Sequence, residues 1–132
     1  MSDYWGVIIE ESLADKGILR RVHIQSTDIE PVTEHHSTPW LSRWTLHSVI
    51  VPVDSAAQVA QEISASFDAD HAGSWYADFK NETQHYVVFP GRVFAIDRNS
   101  QTQYDAARDH GISIGIPPHQ VDFHPSVEEW ER

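Results

Sequence analysis

Apolar and polar residues alternate most clearly in two stretches of this chain, and that alternation predicts most of its strands. In residues 75–80, Trp75, Ala77 and Phe79 point one way while Tyr76, Asp78 and Lys80 point the other. Asn81, Glu82 and Thr83 interrupt the run, QHYVVF follows, and Pro90-Gly91 breaks the chain before RVFAID. Residues 75–97 therefore read as a three-stranded meander. A three-residue loop at 81–83 sets Lys80 against Gln84, Asp78 against Tyr86 and Tyr76 against Val88. A two-residue loop at Pro90-Gly91 sets Phe89 against Arg92 and Val87 against Phe94. This register segregates polarity: Trp75, Ala77, Phe79, Val87, Phe89, Phe94 and Ile96 share one face, with His85 at its rim. Tyr76, Asp78, Lys80, Gln84, Tyr86, Val88, Val93, Ala95 and Asp97 share the other. A slip of one residue in the first hairpin mixes the two sets.

The second alternating stretch is 43–53, where Trp44, Leu46, Ser48 and Ile50 oppose Thr45, His47, Val49 and Val51. Pro52 ends it. Residues 4–10 (YWGVIIE) read as a buried first strand and 21–30 (RVHIQSTDIE) as a second. A helix start at Ser12, with Ser12 as cap and Asp15 at the positive end of the dipole, is cut short by Gly17. Ser55 with Gln58 forms a capping box ahead of Ala56, Val59, Ala60, Ile63 and Phe67 at helical spacing. Ser100 with Gln103 opens a last helix, closed by Gly111 or Gly115.

Taken together, residues 1–132 are expected to form a single α+β domain. It is a ferredoxin-like β-α-β-β-α-β sandwich, with an antiparallel sheet extended by a C-terminal β-hairpin and a final helix. Residues 31–42 are expected to be a flexible loop and 116–132 an extended tail. Helices on one face would leave the other bare, with Tyr76, Tyr86, Val88 and Val93 exposed, so a homodimer through that outer sheet face is expected.

Composition narrows the function classes. The chain carries 20 acidic residues against nine Lys plus Arg, a net charge of −11. No basic stripe interleaves with aromatics, so nucleic acid and anionic membranes are poor partners. There are no cysteines, hence no disulfide, thiolate metal site or cysteine nucleophile. The first residues lack a signal-peptide pattern and no segment has the ~20 apolar residues of a membrane span, so a cytoplasmic location is expected. Nine histidines, all protonated, would carry the formal charge from −11 to −2. Solubility should then fall between about pH 7 and 5.

The segments YWGVIIEESL, WYADF, VVF and GISIGIPPHQVDF together resemble those of a family of small uncharacterised prokaryotic proteins of about this length. The resemblance covers most of the chain, with the loop at His35-His36 standing as an insertion. It implies no activity, cofactor or site residue.

Three groups of residues have the chemistry for a site. Glu10 and Glu11 end the first strand, where carboxylates could bind a cation or divide acid and base roles. Neighbours in an extended strand point to opposite faces, so one of the two at most is expected in a given pocket. A solvated strand end is the commoner origin of such a pair. Glu34, His35 and His36, with His47 or His23, could ligate a divalent metal, but adjacent loop histidines do not by themselves meet the demands of zinc, and surface histidines are the commoner case. Asp78 with Tyr86 could transfer a proton, although cross-strand pairing with Lys80 beside Asp97 accounts for that row more simply. His85 is expected at the rim, bonded to backbone. No nucleotide or serine-nucleophile motif occurs and no organic cofactor is implied.

The expected function is a non-catalytic binding module for a small molecule or a protein. The alternatives are a small cofactor-independent enzyme using Glu10 or Glu11 with a histidine, or an acidic domain that binds or inhibits a basic partner.

Overall fold

In the computed structural model, residues 3–33, 38–68, 70 and 75–121 are described. Among these residues six strands form one sheet: β1 (Tyr4–Ile9), β2 (His23–Pro31), β3 (Arg43–Val51), β4 (Ala77–Lys80), β5 (Gln84–Phe89) and β6 (Arg92–Asp97). Two α-helices accompany it, α1 (Ala56–Ser66) and α2 (Gln101–Ser113). The sheet order is β2-β3-β1-β4-β5-β6 and every neighbouring pair is antiparallel. The fold class is thus α+β, with β5 and β6 continuing the sheet beyond β4.

The β-α-β-β-α-β order is not what forms. Between β1 and β2, where the first helix was expected, stand two 3-10 helices, Glu10–Ser12 and Lys16–Arg21. The local chemistry explains the substitution. Ser12 is buried and its hydroxyl donates back to Ile9 O at 2.6 Å, so it does not cap a helix. Asp15 accepts from the Gly17 N–H at 2.9 Å, which restarts the chain in a tight turn. Leu13 meanwhile bridges to Phe67.

Around the meander both faces of the sheet are covered, each by a different helix. Strand pairing puts Tyr4, Ile8, Val49, Val51, Phe79 and Val88 on one face, where they share a core with Val59, Ala60 and Ile63 of α1. Val87, Phe89 and Ile96 face the opposite way and pack with Tyr104 and Ala107 of α2, Ile116 and Val121. The bare outer face expected from the sequence does not exist around the meander. Val88 is fully buried beneath the α1 layer, Tyr76 belongs to the α2 core at 7 % exposure, and Tyr86 and Val93 pack against the α1 core. Those four residues therefore lose their force as a dimer surface.

The first hairpin differs from the expected register by one residue. Lys80 pairs with His85, Phe79 with Tyr86, Asp78 with Val87 and Ala77 with Val88. Asn81 causes this: its Oδ1 accepts from the N–H groups of Thr83 (3.1 Å) and Gln84 (2.9 Å), while its own N–H donates to Gln84 O at 3.0 Å. Asn81 and Gln84 thereby close the loop. The second hairpin forms as expected, with Phe89 opposite Arg92, Val87 opposite Phe94, and Gly91 at φ 75°.

Helix ends also depart in part from the capping pattern. Ser55 makes no side-chain cap and donates to Pro52 O, whereas Ser100 does accept from the Gln103 N–H at 3.2 Å. Gly111 lies inside α2, and the helix ends at Gly115 (φ 109°). There Ile116 N–H donates to Gly111 O and Gly115 N–H to Ile112 O, a Schellman arrangement. The start of the expected tail is packed, since Ile116, Gln120 and Val121 are buried. In the expected flexible loop, Thr38 is buried and its hydroxyl accepts from Trp44 Nε1 at 2.9 Å. No helix among the described residues is long and apolar enough to cross a membrane.

Candidate functional site

Glu10, His47 and Thr27 come together from three separate elements. His47 and Thr27 are direct cross-strand partners on the α1 face, and Ile8 is His47's partner on the other side. The 3-10 turn that follows β1 then brings Glu10 back over β3. Glu10 Oε1 lies 2.9 Å from His47 Nε2, and Thr27 Oγ1 lies 2.8 Å from His47 Nδ1. Lys16 Nζ approaches the second Glu10 oxygen at 3.4 Å.

Glu11 lies beside this chain of contacts. Its two oxygens accept from the Thr45 N–H at 2.6 Å and the Thr45 hydroxyl at 2.7 Å. Thr45 and His47 are two apart on β3 and share a face, so both carboxylates serve the same side of the sheet. That reverses the expectation of opposite faces. The reason is the turn: a 3-10 helix advances a third of a turn per residue where a strand advances half.

The direction of the hydrogen bonds follows from chemistry. An ionised carboxylate only accepts, so His47 Nε2 carries the proton toward Glu10. In the tautomer with that proton on Nε2 alone, Nδ1 is an acceptor and the Thr27 hydroxyl donates to it. The hydrogen bond from His47 holds the Glu10 carboxyl below its ordinary range, against the opposing effect of burial, with Lys16 adding a smaller push in the same direction. The sequence of groups is carboxylate, imidazole, hydroxyl. His47 is buried at 7 % exposure, while Thr27 is exposed on β2.

A second arrangement of the same type lies in the α2 core. Asp78 Oδ2 stands 2.7 Å from His85 Nε2, and the Tyr104 hydroxyl 3.0 Å from His85 Nδ1. All three residues are buried, so no substrate reaches them, and the contact fastens α2 to β4 and β5. His85 is therefore buried and not at the rim as expected, with its ring nitrogens facing the Asp78 and Tyr104 side chains. Tyr86 is on the other face, with ring centroids 5.3 Å from Tyr4 and 5.2 Å from Phe79. Asp78 and Tyr86 do not form the proton-transfer pair, and Lys80 and Asp97 point to opposite faces. Neither His85 nor Thr27 was selected from sequence. The Asn81 turn was the signal for the former, because it fixes the register that places His85 beside Asp78.

Glu34, His35 and His36 lie outside the described residues. His23 is exposed on β2 and pairs with Ile50 on the face opposite His47, so these two histidines do not converge. Among the described residues, no group of three or more His, Asp and Glu is arranged to hold a metal ion.

An open cleft of about 370 Å³ lies between the 3-10 helix Lys16–Arg21 and α1, floored by Ile18 and Ala65. Two of its charged groups, Arg21 and Glu62, satisfy each other, with Arg21 Nη1 contacting both Glu62 oxygens at 2.7 and 2.6 Å.

β2 is the sheet's edge on this side. It is nine residues long, and seven of the eight residues 23–30 are exposed, including Ile24 at 37 % and Ile29 at 61 %. A bulge at Gln25 leaves residues 26–31 in regular pairing with β3. No family model, curated protein or solved structure matches the chain.

Proposed function

We propose that this protein is a binding module that takes an extended, basic segment of another protein as an added strand along β2. The observation that carries this reading is the edge itself. β2 is long for an edge strand, has no strand partner on its outer side among the described residues, carries no Lys, and exposes two isoleucines. Such an edge offers unpaired main-chain donors and acceptors to an extended peptide, with side-chain contacts on alternate residues.

Charge selects the partner's chemistry. Asp28 is exposed on β2 and the chain as a whole carries −11. A second copy on the same edge would bring an equal negative charge, whereas a Lys- or Arg-rich segment is attracted and steered. The cleft beside α1 supports a small-molecule ligand less well, because Arg21 and Glu62 already satisfy each other across it.

An alternating Lys–Val peptide of the same length as β2 tests the reading. Hydrogen exchange at the β2 amides should slow on binding, affinity should fall with added salt, and Asp28→Lys should weaken the complex. The same peptide with alternate backbone nitrogens methylated keeps its charge and loses its donors, and it should not bind. Equal binding of the methylated peptide, or unchanged exchange along β2, would overturn strand addition.

A further inference from the structure

The two carboxylate–imidazole–hydroxyl arrangements differ in one respect that bears on chemistry. Tyr104 ends the buried arrangement inside the α2 core at 2 % exposure, while Thr27 ends the other on the surface. A threonine hydroxyl is a poor nucleophile until a base takes its proton, and here the acceptor nitrogen of His47 lies 2.8 Å away on the line toward Glu10. Ile24 and Ile29 belong to the same strand and the same face as Thr27, and both are solvent-exposed, so apolar surface flanks the hydroxyl along β2.

We propose that Thr27 is an acyl-accepting nucleophile for small carboxylic esters with an apolar acyl chain, with His47 as its general base and Glu10 as the positioning carboxylate. Thr27 Oγ1 attacks the ester carbonyl carbon while its proton passes to His47 Nδ1. The carbon–oxygen bond to the alcohol breaks, its electron pair leaves on the alcohol oxygen, and that oxygen takes the proton from His47. A threonyl ester remains. Water then attacks the acyl carbon, giving a proton to His47 Nδ1, and the bond to Thr27 Oγ1 breaks as that oxygen recovers the proton. The sum is ester plus water to acid plus alcohol. Glu10 accepts from Nε2 throughout, which keeps Nδ1 free to act as the base and stabilises the ring while it is protonated.

This activity is independent of strand addition along β2, and p-nitrophenyl butyrate is the probe that tests it. Wild-type protein should release p-nitrophenol in a burst, and acid-quenched protein should carry the butyryl group on Thr27 by peptide mass mapping. Thr27→Val should abolish burst and adduct, Thr27→Ser should retain both, and His47→Gln should slow acylation by about 10²-fold or more. Glu10→Gln should lower kcat and leave KM unchanged, as a positioning role requires and mere loss of fold does not. His23→Gln, on the opposite face, should match wild type. Circular dichroism checks that each variant folds. Wild-type turnover no faster than free imidazole, an adduct on another residue, or equal rates in wild type and folded Thr27→Val would overturn the proposal.

Discussion

Asp78 and His85 share one face of the sheet, with Asp78 Oδ2 2.7 Å from His85 Nε2, although a register that segregates polarity would put them on opposite faces. The pair lies at 6 % and 2 % exposure, and Tyr104 OH completes it from α2. A buried charged group costs little only while its partner is present. Asp78→Ala should therefore cost about 3 kcal/mol, because it removes the buried carboxylate that His85 Nε2 faces. Urea unfolding checks this. The midpoint should fall with its slope unchanged, and an unaltered midpoint would mean the pair contributes nothing.

The same pair shows how far the fold was legible in the sequence. Strand positions follow from alternation, and the faces of β3 came out as expected because Trp44 and His47 sit in an uninterrupted period of two. The hairpin register did not, because it was judged by separating polar from apolar residues. That criterion assumes one solvated face, and here α1 and α2 cover opposite faces of the meander. Asp78 and His85 satisfy each other inside, so polarity and exposure come apart. Glu10 as a candidate was legible from its place at a strand end, and the contact it makes with His47 was not. Thr27, the partner of His47, was not legible either, because the pairing of β2 with β3 depends on a bulge at Gln25 that no local pattern announces.

Gly6 pairs with Phe79 where β1 leaves no room for a side chain against β4. A Cβ added there would collide with Asp78 O and lie 2.7 Å from Phe79 Cα, both backbone atoms that cannot rotate away. Gly6→Ala should force the two strands apart and cost about 3 kcal/mol or more. The loss should appear as faster hydrogen exchange in β4 and a lowered melting temperature. A melting temperature equal to wild type would show that the sheet absorbs the methyl group.

His110 gives the fold a dependence on pH near neutrality. Its ring centroid lies 5.0 Å from Phe89 and 5.6 Å from Phe94, and its Nε2 is buried without a hydrogen-bond partner among the described residues. Burial, with the nearby Arg92 charge second, holds the imidazole below its ordinary value of 6.5. The unfolded chain thus binds a proton first as pH falls. Stability is full above about pH 6.5 and declines below it until the folded ring also protonates. His110→Leu should remove that decline and gain on wild type between about pH 7.5 and 5.5, as read from melting temperatures at both. Parallel curves for the two proteins would contradict it.

Glu10 acts in a lower range with the same sign. Its folded carboxyl sits below the ordinary 4.5, chiefly through the hydrogen bond from His47. Above the ordinary value both states are ionised and the contact stabilises the fold in full. As pH falls the unfolded chain binds the proton first, so that stability drains away until pH passes the lowered folded value. Wild type should therefore exceed Glu10→Gln in stability at neutral pH, and the gap should close on acidification below about pH 4.5. The two partners of Glu10 are separable. Lys16 is 57 % exposed at its side chain and 3.4 Å away, while His47 is 9 % exposed and 2.9 Å away. Solvent screens the first contact far more than the second. Lys16→Ala should leave most of the acid-side slope in place and His47→Gln should remove most of it. The reverse order would mean that Lys16, and not the imidazole, holds the Glu10 carboxylate in its ionised form.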